Sequence, residues 1–251
     1  MKVIGIIPAR FKSSRFPAKM LHPILGVSLL QRTYESALGS KTLDSLIIAT
    51  DDKSIFEHAA HFGAPVIMTS VDCLNGTERL VDAIERTPEI ADGDIYVNIQ
   101  GDRPVVPGTT IDAIVDVLKR HPHDPMSTAL SEIDDPTELY DPSTVKCVVD
   151  QQGYALYFSR APIPWARDDF PGQMPEQSCY FRHIGLYAYR GHFLKTYPTL
   201  AEPPIEQLER LEQLRVLYHG YKIHVDYAPE PNPPGVDTAA SLNEVRKLLE
   251  G

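Results

Sequence analysis

The chain has 251 residues, 43% hydrophobic and 23% charged, which is the composition of a globular protein rather than a disordered or fibrous one. The formal net charge of -10 argues against a broad basic surface for nucleic acid or an anionic membrane. Yet residues 1–34 hold Lys2, Arg10, Lys12, Arg15, Lys19 and Arg32 and no acidic side chain, so a cationic segment stands on an acidic background.

Taken in chain order, strands and helices alternate through the first half. Val3–Pro8 is predicted to be a buried strand; it is too short for a signal peptide or a membrane span, so a cytoplasmic protein is expected. Ser28–Leu38 is predicted to be a helix, with Leu29, Leu30, Tyr34, Ala37 and Leu38 on one face. Leu46–Ala49 reads as a strand, Asp52–Phe62 as a helix stopped at Gly63, and Pro65–Met68 as a strand. Thr77–Arg86 follows as a helix, Asp94–Gln100 as a strand and Thr109–Arg120 as a helix. This order predicts an α/β fold with a parallel sheet and helices on both faces.

The second half is less regular. Met126–Ser131, Val145–Asp150, Ala155–Phe158, Ile184–Tyr189 and Lys222–Tyr227 read as strands. Pro204–His219 is predicted as one helix, with Leu208, Leu211, Leu214, Leu217 and Tyr218 forming an apolar stripe, and Thr238–Glu250 as a closing helix. The 22 prolines cluster in 162–175, 198–204 and 229–234, which read as irregular connections. Cys73, Cys147 and Cys179 are scattered, with no Cys-x-x-Cys and no His at metal-ligand spacing. Buried reduced thiols are expected, not disulfides or structural zinc.

Open α/β sheets bind ligands beyond the carboxyl ends of their strands. After the first strand comes Pro8-Ala9-Arg10-Phe11-Lys12-Ser13-Ser14-Arg15-Phe16-Pro17-Ala18-Lys19, rich in cations and hydroxyls. It lacks the Gly-x-x-x-x-Gly-Lys frame and the dinucleotide fingerprint. It is either a phosphate-binding loop or a solvated basic one. After the fourth strand comes Asn98-Ile99-Gln100-Gly101-Asp102, where Asp102 is either a Mg²⁺ ligand or a turn residue. Asn75-Gly76-Thr77-Glu78-Arg79 opens a helix, with Thr77 as a candidate N-cap at a natural site for a polar ligand.

These three motifs together resemble the sugar-acid cytidylyltransferases. The segments Tyr154–Arg160, Arg182–Tyr187, Leu211–Arg215 and Gly235–Asp237 narrow the resemblance to the 3-deoxy-manno-octulosonate (Kdo) cytidylyltransferases, over nearly the whole chain. The resemblance implies a Rossmann-like nucleotide-diphospho-sugar transferase fold in a single domain. Residues 1–125 would be the CTP-binding half, and 126–251 the sugar-acid half with a smaller dimerisation arm. It implies that Arg10, Ser13, Arg15 and Lys19 hold the CTP phosphates and that Asn75, Gly76, Thr77 and Arg79 line the nucleoside pocket. Asp102 and Asp237 would bind Mg²⁺. Gln100, Arg160, His183, Tyr187, Glu212 and Gln213 would hold the sugar acid, with Arg10, Lys19, Asp102 and Asp237 as the catalytic set. A cytoplasmic homodimer making CMP-Kdo for lipopolysaccharide is implied, with neither nucleic acid nor membrane as partner. A related sugar acid (an 8-amino Kdo analogue or a neuraminate) and an inactive nucleotide-binding module are the alternatives.

Read without the resemblance, His183 and Tyr187 are as easily packed core residues, and Glu212 a solvated helix charge. Two positions depart from the family pattern. Arg103 stands where the family has Glu, either weakening metal binding or turning away into a surface pair. Ala18 stands where the family has Gly, which requires that its backbone not be left-handed.

Overall fold

The computed structural model describes residues 1–11, 16, 18–168, 179–231, 235–236 and 238–250. Seven consecutive buried residues form β1 (Val3–Ala9). A strand covered on both faces needs no polar alternation, which explains its uninterrupted apolar sequence. Lys19–Leu21 makes one 3-10 turn. A small hairpin follows, β2 (Pro23–Ile24) and β3 (Val27–Ser28). Its two turn residues, Leu25 and Gly26, have φ of 49° and 81°, as a two-residue hairpin loop requires.

Ser28 caps α1 (Leu29–Ala37) by accepting from the Gln31 N–H. Next come β4 (Ser45–Thr50), α2 (Lys53–His61), capped by Asp52, and β5 (Val66–Met68). Then come α3 (Gly76–Arg86), β6 (Ile95–Asn98) and α4 (Gly108–Arg120). The second half runs β7 (Met126–Glu132), α5 (Pro136–Tyr140), β8 (Lys146–Val149), β9 (Ala155–Ser159) and β10 (Phe181–Arg190). It ends with α6 (Gly191–Thr196), α7 (Pro204–Glu209), α8 (Gln213–Tyr218), β11 (Ile223–Tyr227) and α9 (Ala239–Glu250).

The sheet order is β11-β7-β10-β6-β1-β4-β5, with β8 and β9 branching from β10. All neighbours on that path are parallel except β10, which runs antiparallel to β6 and β7. Alternation along β1 sends Val3 and Ile7 to one hydrophobic core and Ile4 and Ile6 to the other. The first core contains Ile55 of α2 and Ile111 of α4; the second contains Leu80 of α3 and Leu214 of α8. The mainly parallel α/β sheet flanked by helices is therefore present.

The structure differs from the sequence expectations at several points. The helix expected over Pro204–His219 is two helices, because Arg210 adopts a left-handed conformation, φ 55° and ψ 47°. Leu208 and Tyr218 consequently leave the apolar stripe and are exposed. The β2–β3 hairpin, α5 and α6 were not expected, and β10 begins three residues before Ile184. Of the cysteines only Cys147 is buried; Cys179 is exposed.

Candidate active site

A cleft of about 720 Å³ opens beyond the carboxyl ends of β1 and β6. Pro8, Arg10, Lys19, Asn75, Gly76 and Arg79 line it, with Gln100, Gly101 and Asp102 from the β6 end and Tyr187, Glu212 and Gln213 from the second half. The ends of β1 and β6 approach closely at Gly101. A Cβ there would lie 3.0 Å from the Pro8 carbonyl oxygen and 3.2 Å from the Met20 side chain, so a larger residue would push the β6 end away from β1. The Thr33 hydroxyl donates to the Gly101 carbonyl at 2.9 Å and fixes the turn from behind.

Lys19 and Asp102 meet in this cleft. Lys19 Nζ donates to Asp102 Oδ2 at 2.7 Å and to the Val236 carbonyl at 3.2 Å. The Val236 N–H in turn donates to the Asp102 carbonyl at 2.8 Å, so the segment before Asp237 is tied to Asp102. Ala18, directly before Lys19, is left-handed with φ 53° and ψ 24°. The expectation that this backbone avoids the left-handed region is therefore overturned; the turn into Lys19 requires it, at a cost of roughly 1 kcal/mol for a residue with a Cβ.

The nucleoside candidates sit at the start of α3. Asn75, not Thr77, is the N-cap: its side chain accepts from the Glu78 N–H at 2.8 Å. Thr77 is fully buried; its hydroxyl pairs with Tyr189 at 2.8 Å and its N–H donates to Glu212 Oε2 at 3.3 Å. Glu212 thus rests on the positive end of α3. Burial nevertheless pushes its carboxyl up to about 7, against the opposing pull of the Thr77 hydrogen bonds. Arg79 lines the cleft with its guanidinium anchored on Asp51 at 2.9 Å. Asn98 lies beneath Gly76, where an added Cβ would be 3.2 Å from its Nδ2. Its amide is buried without a protein partner among the described residues.

On the opposite side, β10 pairs first with β8 and then with β6, and its register against β7 shifts between His183 and Tyr187. Gly185 in this irregular stretch has φ 79°. A directional hydrogen-bond chain crosses it. Tyr187 Oη donates to Gln213 Oε1 at 2.9 Å, and Gln213 Nε2 faces His183 Nδ1 at 3.5 Å. His183 Nε2 meets the Thr128 hydroxyl at 2.8 Å, and that hydroxyl donates to the Leu186 carbonyl at 2.6 Å. With its own proton committed, Thr128 accepts from Nε2, leaving Nδ1 as an acceptor and the imidazole neutral. Burial, and then the nearby positive charge of Arg103, push the His183 pKa down to about 3.

Arg103 does not turn away to the open surface. Its guanidinium lies 3.6 Å from the position a Gly185 Cβ would take, and its charge also acts on Tyr187. Arg103 therefore sets a positive charge beside His183 and Tyr187, behind the Tyr187 side of the cleft.

The break at Arg210 explains how Glu212 and Gln213 reach the cleft. A continuous helix would carry the chain on; instead Leu211 N–H bonds back to the Glu206 carbonyl. Arg215 grips Glu206 bidentately at 2.8 Å on both arms, both side chains being buried. Sequence reasoning missed Glu206, Arg210, Arg215 and Asn98. An acidic and a basic residue nine apart across a broken helix are not helix neighbours, so spacing carries no signal for them.

Ten of the expected residues line the cleft: Arg10, Lys19, Asn75, Gly76, Arg79, Gln100, Asp102, Tyr187, Glu212 and Gln213. Thr77 and His183 stand behind it, bonded to Glu212 and Gln213. Arg160 is not brought to it: its guanidinium is spent on the Glu209 carbonyl at 2.7 Å and the Pro142 carbonyl at 2.8 Å. Ser13, Arg15 and Asp237 lie outside the described residues. The donor chemistry at Asp102 suits Mg²⁺, a hard cation that takes carboxylate oxygens, although the Lys19 ammonium holds Oδ2 here and would have to share it.

Comparison with known proteins shows the family. The cytidylyltransferase family model matches residues 4–223. A 3-deoxy-manno-octulosonate cytidylyltransferase of Francisella philomiragia is 47% identical over 245 residues, covering 98% of this chain and 97% of the relative. One from Protochlamydia amoebophila is 46% identical, covering 99% of this chain and 94% of its own. A solved CMP:2-keto-3-deoxy-manno-octonic acid synthetase in complex with CTP superposes with a TM-score of 0.90 at 38% identity, covering 100% of this chain and 99% of that one. A cytidylyltransferase from Leptospira borgpetersenii, 18% identical with a TM-score of 0.63, shares the fold. The chain belongs to the cytidylyltransferase family.

Proposed function

We propose that the protein transfers the cytidylyl group of CTP to 3-deoxy-manno-octulosonate, giving CMP-Kdo and pyrophosphate. One observation carries this reading. The Lys19–Asp102 pair and the N-terminus of α3 face the same cleft as Gln100, Tyr187, Glu212 and Gln213, so a triphosphate and a polyhydroxylated acid can be held against each other.

In this scheme the anomeric hydroxyl attacks the α-phosphorus in line and the bond to pyrophosphate breaks. The protein positions the reactants and offsets their charge. Lys19 and Arg10, with Ser13 and Arg15 from the same loop, bind the phosphates and stabilise the charge that grows on the leaving pyrophosphate. Asn75, Gly76, Thr77 and Arg79 hold the nucleoside. Asp102 and Asp237 would hold Mg²⁺, which lowers the repulsion between the triphosphate and the sugar acid. The neutral His183 orients Gln213 and Tyr187 and supplies no charge. Glu212, whose proton exchanges near neutral pH, can donate to or accept from sugar hydroxyls. The positive charge facing the substrate carboxylate comes from Arg103.

A second reading stays within the same chemistry: a related sugar acid, such as an 8-amino Kdo analogue or a neuraminate, whose carboxylate would meet the same Arg103 charge. Pyrophosphate release from CTP and Mg²⁺ across a panel of 2-keto sugar acids separates the two. Fastest release with Kdo supports the proposal. Faster release with another acid moves the assignment to that acid, and none with any acid leaves a nucleotide-binding module.

We also infer a cytoplasmic homodimer serving lipopolysaccharide synthesis. Leu156 on β9 and Trp165, in the connection after β9, are each 59% exposed, which supports self-association through apolar surface of the second half. Light scattering of the purified chain tests it.

A further inference from the structure

At the sheet edge opposite the cleft, three side chains converge that the transfer reaction does not use. We propose that His121, Asp124 and His224 form a transition-metal site of the zinc type. Each offers one ligand atom, and these atoms all lie within 4.8 Å of one another. His121 ends α4, Asp124 lies in the connection to β7, and His224 is the second residue of β11. Because β7 and β11 are parallel and begin here, the cluster sits at their amino ends, away from Asp102.

The arrangement is largely built. Asp124 and His224 are each 8% exposed. The two are locked together by the His224 Nδ1–Asp124 Oδ2 contact at 2.7 Å. Tyr154 Oη donates to both carboxylate oxygens, at 3.2 and 3.3 Å, and orients them. The His121 ring stands 4.1 Å from that of His224 and is exposed. Tetrahedral ligands around zinc are ~3.3 Å apart, so an entering ion would part the His224–Asp124 contact by roughly half an ångström and draw in the exposed His121 ring. Two imidazoles and one carboxylate suit a borderline ion such as Zn²⁺ and not Mg²⁺, which prefers oxygen ligands. The cluster is therefore chemically distinct from the Asp102 site. Its effect would be to fasten the edge strand β11 to the end of α4.

The test is equilibrium dialysis of the full chain against Zn²⁺ with excess Mg²⁺, followed by metal analysis and thermal melts. One zinc that Mg²⁺ does not displace, and a raised melting temperature, are expected. His121→Ala should weaken zinc binding at least ~tenfold, the loss of one of three protein ligands. It should also abolish the rise in melting temperature, while metal-free stability and Mg²⁺-dependent transfer stay at wild-type values. His224→Gln should do the same to zinc binding. Equal zinc affinity in wild type and both variants, or no zinc retained by wild type, overturns the proposal.

Discussion

The Lys19 ammonium stands 2.7 Å from Asp102 Oδ2 and, through its bond to the Val236 carbonyl, ties the loop after β1 to the end of β6 and to the C-terminal segment. One cation thus organises three parts of the cleft, and in the proposed reaction it would meet the phosphates of the triphosphate. Lys19→Ala is expected to lower turnover by ~100-fold or more, the usual scale for losing a fixed charge that meets the transition state. Steady-state kinetics with saturating CTP check it, and a near wild-type rate would remove Lys19 from the reaction.

Arg103 is expected to act on the sugar acid and not on CTP, since its guanidinium lies against Gly185 and its charge reaches His183 and Tyr187. Arg103→Ala should raise KM for the sugar acid roughly tenfold, as expected for a lost charge-assisted hydrogen bond, and leave KM for CTP nearly unchanged. Equal rises in both constants would assign it a structural part instead.

His183 and Glu212, both buried beside the cleft, give opposite pH signatures. His183 is held neutral down to about 3, whereas an unfolded histidine protonates near ~6.5. The unfolded state therefore binds more protons between those values, and stability falls as pH drops through that window. For Glu212, folded near 7 and unfolded near 4.5, the folded state binds more protons, and stability falls as pH rises through that window. Glu212→Gln is expected to raise the melting temperature at pH 8 with little effect at pH 4. Thermal melts across that range check the sign; a variant less stable at pH 8 contradicts it.

Ala18 is strained by its left-handed backbone. Ala18→Gly should stabilise the protein by roughly 1 kcal/mol, read as a higher urea midpoint. A lower midpoint would show that chain entropy outweighs the relief.

Why some of this was legible in the sequence and some not follows from particular residues. The β1 run is apolar throughout because both its faces are covered, so it could be read directly, and with it the strand ends where Arg10 and Asp102 lie. The N-terminus of α3 was legible through Gly76, although the cap is Asn75. The second half hid its geometry. Arg210 breaks a well-patterned helix with no glycine to mark it, and that break delivers Glu212 and Gln213 to the cleft. The inward course of Arg103 depends on the register shift in β10 and on Gly185, which are tertiary features without a local signal. Family resemblance supplied Glu212, Gln213, His183 and Tyr187; helical spacing did not.

The most direct test is mass-spectrometric product analysis of the full chain with CTP, Mg²⁺ and Kdo, with pyrophosphate quantified in the same reaction. Expected are CMP-Kdo and pyrophosphate in equal amounts, with no accumulation of free CMP beyond slow product hydrolysis, and loss of both products in Lys19→Ala. CTP consumption without a CMP-linked sugar, or CTP binding with no pyrophosphate released, would contradict the assignment.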